Sequence, residues 1–67
     1  MLKIKFDREA DGRWIADIPE LPGVLAYGST QTEARQKAIA LALEVIADNL
    51  AHGEPVPAEV DNLFAAA

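Results

Sequence analysis

Residues 11–28 read DGRWIADIPELPGVLAYG, and the alternation inside this stretch decides the fold. Trp14, Ala16 and Ile18 fall on one side of an extended chain, and Arg13, Ile15 and Asp17 on the other, the period-two pattern of a strand with one covered face. Upstream, Leu2, Ile4 and Phe6 alternate with Lys3, Lys5 and Asp7 in the same way. Asp11-Gly12 between the two runs is a strong hairpin signal, so strands over 2–8 and 13–18 are expected to pair antiparallel. Pro19 and Pro22 each remove a ladder donor and end the second strand. Pro22-Gly23 suits the central positions of a type II turn. Val24 to Gly28 then reads as a third strand, with Leu25 and Tyr27 on one face and Val24 and Ala26 on the other.

Downstream, Thr30-Gln31-Thr32-Glu33 has the form of a capping box, which starts a helix at about Gln31. Glu33 and Lys37 are spaced for an i,i+4 pair in the better orientation. Gly53 suits the residue just past the helix end, and Pro55 and Pro57 prevent continuation. The tail, 54–67, carries Val60, Leu63 and Phe64 and reads as either a fourth edge strand or a helical turn. The expected architecture is a single α+β domain over 1–67. It has a small three- to four-stranded antiparallel sheet with one long helix packed on one face. At 100° per residue, Leu41, Ala34, Val45, Ala38 and Ala42 fill one arc of that helix, and Ile46, Ile39, Leu50 and Leu43 extend it. Together the arcs span about 200°, twice what one core-facing stripe needs. The second arc, Ile39, Leu43, Ile46 and Leu50, is therefore expected to be covered by the tail through Leu63 and Phe64, by a second subunit or by a partner.

The chain has 67 residues, and a domain this short buries only about 60% of the surface its unfolded form exposes. It contains no cysteine and one histidine, which removes disulfides, a thiolate nucleophile and a Cys-based zinc site. Packing or self-association is left to supply stability, so a homodimer or higher homo-oligomer is expected. Six basic and eleven acidic residues give a net charge of −5. Such a balance disfavours direct nucleic-acid binding, which draws on lysine and arginine, and suits a basic protein partner. The N-terminus lacks the continuous apolar core of a signal peptide, and the apolar-rich run 38–43 is far short of a bilayer span. A soluble, cytoplasmic protein with no membrane association is expected.

No catalytic constellation stands out. Asp7 and Asp17 occupy solvent-facing alternation positions, Asp11 serves a turn, and Ser29 and Thr30 stand where helices are capped. His52 fits the end of a helix, where a cation complements the dipole. The four glycines are isolated and form no phosphate-binding loop. Trp14 is in phase with Ala16 and Ile18 and reads as core, whereas Tyr27 stands equally well at a core edge or an interface. No catalytic residue, metal ligand or cofactor is expected.

Taken jointly, Asp11-Gly12-Arg13-Trp14-Ile15-Ala16, Ile18-Pro19-Glu20-Leu21-Pro22-Gly23 and Gly28-Ser29-Thr30 with Glu33-Ala34 and Ala38 resemble the HicB-like antitoxin family. Gly53-Glu54-Pro55-Val56-Pro57 looks like the segment that follows the family's helix, so the resemblance covers about residues 2–57. It implies a β-β-β-α-β order described as a partial RNase H-like fold. It also implies a non-enzymatic role, the neutralisation by occlusion of HicA, a small basic toxin that cleaves mRNA. Many members carry a further C-terminal DNA-binding domain, which these 67 residues do not contain, and Val24 stands where many have cysteine.

On this reading Asp7, Asp17 and Glu20, with Tyr27, are the candidate partner-binding residues, an acidic surface meeting the toxin's RNA-binding surface. Two other readings stand beside it. One is an orphan homo-oligomeric domain. The other is a minimal metal-dependent nuclease, for which Asp7 is the one plausible carboxylate.

Overall fold

A computed structural model describes residues 1–66. Its elements are β1 (Lys5–Arg8), β2 (Trp14–Asp17), β3 (Leu25–Gly28), α1 (Gln31–Ala51) and the short α2 (Ala58–Asp61). The strands form one antiparallel sheet in the order β1-β2-β3. The expected α+β architecture is thus present, with three strands and one long helix on one face of the sheet.

The hairpin closes as Asp-Gly predicts. The Gly12 N–H donates to the Glu9 carbonyl at 2.9 Å and the Glu9 N–H to the Arg13 carbonyl at 2.8 Å. This is a three-residue loop, longer than the tightest hairpin turns. Between β2 and β3 the chain makes two successive turns: Leu21 N–H donates to the Ile18 carbonyl (2.9 Å) and Val24 N–H to that of Leu21 (3.0 Å). Every third residue therefore points inward, and Ile18, Leu21 and Val24 are all buried while Pro19, Glu20, Pro22 and Gly23 face out. Val24 serves as a core plug ahead of β3 rather than as its first residue.

Helix α1 starts where the capping box places it: the Glu33 N–H donates to the Thr30 hydroxyl at 3.0 Å. It ends in a Schellman motif. The Glu54 N–H reaches the Asn49 carbonyl (2.8 Å) and the Gly53 N–H that of Leu50 (3.2 Å), with Gly53 at φ 69°. Ala34, Ala38, Ala42 and Ile46, four residues apart, form the buried stripe, and Leu41 and Val45 pack beside it. Small alanines let the helix lie close on Ala16 and Ala26, with Phe6, Trp14, Leu2 and Ile4 filling the flank.

The tail resolves to a helical turn, not a strand, so the last β of the family's order is not seen among the described residues. Val60 from α2 is buried against the core, whereas Leu63 and Phe64 are 75% and 77% exposed. Leu63 and Phe64 therefore do not cover the helix's second arc, and Val60 is the tail residue that enters the core. That arc also divides: Ile46 is only 8% exposed and belongs to the core, Ile39 is half-buried, and Leu43 (60%) and Leu50 (51%) stay bare. Ile46 is thus mainly a core residue rather than a bare one. No helix among the described residues is long and apolar enough to cross a membrane.

Candidate interaction surfaces

The register fixes what the uncovered face of the sheet carries. Lys5, Asp17 and Leu25 lie level across the three strands, and Asp7, Ile15 and Tyr27 form the next row. Alternation sends both rows away from α1. Leu25 and Tyr27 are 42% and 39% exposed. Arg13, in phase with Ile15, lays its guanidinium over the Tyr27 ring at 4.7 Å. Asp11 holds it there: its carboxylate accepts from the Arg13 backbone N–H (3.0 Å) and from Arg13 Nε (2.8 Å). The backbone N–H and then the guanidinium keep the Asp11 carboxyl below its usual range.

Three of the four sequence-derived contact residues, Asp7, Asp17 and Tyr27, therefore share one surface. Glu20 does not. It sits on the turn between β2 and β3, at an open hollow shared with Asn49, Pro55 and Pro57. Lys5 stands opposite Asp17 and two residues from Asp7 on that face, while Arg13 is engaged by Asp11. Trp14 lies on the covered face against the core, with Arg8 over its ring at 5.1 Å.

The excess negative charge lies elsewhere. All six lysines and arginines fall within residues 1–37, matched there by six carboxylates. Residues 38–67 hold Glu44, Asp48, Glu54, Glu59 and Asp61 with no lysine or arginine, and so carry the whole net charge of −5. This half also exposes Leu43, Leu50, Leu63 and Phe64. Leu43 and Leu63 border a groove of about 440 Å³ floored by Leu2, Ile46 and Val60 and rimmed by Glu59. The Met1 amine sits 3.9 Å from that carboxylate. The signal for this surface was in the sequence as the distribution of charge along the chain, not as its total.

No family model matches the chain, and no curated protein or solved structure matches it. What the surface can do must come from its own geometry. Among the described residues, one trio of potential metal ligands comes together, Asp48, His52 and Glu54, with ligand atoms within 4.8 Å and all three residues exposed. His52 is engaged locally: its Nδ1 lies 2.8 Å from the Asp48 carbonyl and 3.4 Å from the Asp48 carboxylate. Asp7, the nuclease reading's carboxylate, is not part of that trio. It stands on the sheet diagonal to Asp17 and beside Lys5.

Proposed function

We propose that this chain is a non-enzymatic protein-binding module of the HicB-like antitoxin type, which neutralises a small basic mRNA-cleaving toxin by occluding it. The observation that carries the reading is the segregation of charge. Residues 38–67, with five carboxylates and no lysine or arginine, also bear the exposed Leu43, Leu50 and Leu63 and line most of the apolar groove. Apolar centres supply affinity and a complementary rim speeds the encounter, so this surface suits a basic protein with an apolar ridge. The sequence resemblance suggests the partner class, and the acidic helix–tail surface with its exposed leucines supports docking there in preference to the sheet, where Lys5 stands between Asp7 and Asp17.

The test is affinity capture from the cells that make the protein, followed by an RNA-cleavage assay on any small basic protein recovered. The chain is expected to suppress cleavage at equimolar ratio. Glu44→Lys with Glu59→Lys is expected to slow association by about tenfold at low salt and to flatten its salt dependence. Asp17→Lys is expected to leave both unchanged. Cleavage that persists in excess antitoxin would overturn the reading.

A further inference from the structure

The side of α1 turned away from the sheet is apolar where a surface helix normally sets its charges. At about 100° per residue, Ala40 and Ala47 lie roughly half a turn round the helix from the buried Ala38 and Ala42. Ala40, Leu43, Ala47 and Leu50 are all exposed. Their spacing is three, four and three residues, the heptad spacing of a seam that packs on another helix. Alanine alternates with leucine along the seam, so the small residues admit a close neighbour and the leucines supply apolar area. From Ala40 to Leu50 it runs about 15 Å.

The tail does not cover this seam, since Leu63 and Phe64 stay exposed. Beside Leu43 lies instead the groove of about 440 Å³ that Leu63 borders and Val60 floors. Carboxylates stand on both flanks. Glu59 is on the rim of the groove, and the exposed Glu44 follows Leu43 on the other side of the seam. We infer that the seam takes an amphipathic, basic helix of the partner protein, laid along α1. One row of its apolar side chains covers Ala40 and Ala47, a second enters between Leu43 and Leu63, and lysines or arginines on its flanks meet Glu44 and Glu59. This docking mode rests on the antitoxin reading for the partner's basic character and adds the element by which the partner binds. A second copy of this chain presents the wrong charge, because its own seam is flanked by the same Glu44 and Glu59. Lys37, at the near end, is already paired with Glu33 at 3.3 Å.

The probes are two labelled synthetic helices about three heptads long, with leucine at the seam positions and either lysine or glutamate on the flanks. Each is titrated with the full chain by fluorescence anisotropy, below its own self-association range. The lysine peptide is expected to bind one to one, and the glutamate peptide at least about tenfold more weakly. Ala47→Gln changes no charge and keeps a good helix former, but its longer side chain holds a neighbour off the seam. It is expected to weaken the lysine peptide by about tenfold or more, as is Leu43→Ala. Asp17→Asn, on the sheet, is expected to leave binding unchanged. Absence of binding by the lysine peptide, equal binding of the two peptides, or binding indifferent to Ala47→Gln would each overturn the inference. So would a dimer of the wild-type chain that Ala47→Gln dissociates, which would give the seam to a second copy. Circular dichroism on each variant separates lost binding from a lost fold. The titration needs no toxin, so its failure is distinct from that of the antitoxin reading, which falls on the RNA-cleavage test alone.

Discussion

Gly28 shows how much of this fold hangs on one missing methyl group. It closes β3 directly beneath the first turn of α1, and a Cβ built on it would lie 2.5 Å from the Ala34 backbone nitrogen and 3.0 Å from the Ala34 Cα. Both are main-chain atoms, so relief requires moving the helix off the sheet. Gly28→Ala is expected to cost about 1–3 kcal/mol, seen as a lower urea midpoint with an unchanged slope. An unchanged midpoint would mean that the helix start yields freely. In the sequence Gly28 reads only as punctuation at a strand end, because a close approach between elements leaves no local pattern. Tyr27 was half legible for a related reason. Alternation places it opposite Ala26, but which face the helix covers is settled by the small residues Ala16 and Ala26, and that choice leaves Tyr27 outside with Leu25.

At the scale of elements, the termini of α1 were written in the sequence because caps are local chemistry. Thr30 accepts from the Glu33 N–H, as the capping box requires, and Thr30→Ala is expected to cost about 1 kcal/mol. For a domain of this size that lowers the thermal midpoint by about 4–8 °C. The reciprocal half of the box is displaced by one residue. The Glu33 carboxylate accepts from the Ser29 N–H (3.2 Å) and Ser29 hydroxyl (3.3 Å), and Lys37 donates to it at 3.3 Å. The Ser29 N–H first, and Lys37 next, hold the Glu33 carboxyl below its usual range. A depressed carboxyl favours the fold while it is ionised, so its contribution is complete above the ordinary glutamate range and fades as pH falls through that range. Glu33→Gln keeps an acceptor for Ser29 but does not titrate. Between pH 7 and about pH 3 the variant is expected to lose less stability than the wild type, and parallel acid limbs in chemical denaturation would refute the linkage. The tail was legible only as an alternative, because Val60, Leu63 and Phe64 fit a short helix or a short strand equally well. The structure decides for the helical turn because Val60 alone finds a core to enter.

The whole molecule is long and thin, 47 × 22 × 15 Å, with a radius of gyration of 13.4 Å against about 11 Å for a compact chain of this length. The cause is a mismatch of elements. A 21-residue helix runs about 31 Å, whereas four-residue strands run about 13 Å, so α1 overhangs the sheet. The overhang is covered by the turn at Ile18, Leu21 and Val24 and by Val60 and Val56 from the tail. A two-layer molecule of these proportions leaves the far face of the sheet and the far side of the helix open. Those two surfaces differ in character: the sheet face mixes Lys5 and the Asp11-bound Arg13 with carboxylates, whereas residues 38–67 carry no lysine or arginine at all. The tail thus does two jobs with separate residues: Val60 in α2 completes the core, and Leu63 just beyond it shapes the rim of the groove. Val60→Ala removes two buried methyl groups and is expected to cost about 1–3 kcal/mol, shifting the thermal midpoint down. Leu63→Ala and Phe64→Ala remove exposed carbon and are expected to leave that midpoint within the usual scatter of surface substitutions, about 0.5 kcal/mol. Were Leu63→Ala as damaging as Val60→Ala, the tail would be folded back over Leu43 and Leu50 in solution. The acidic helix surface would then be closed to any partner.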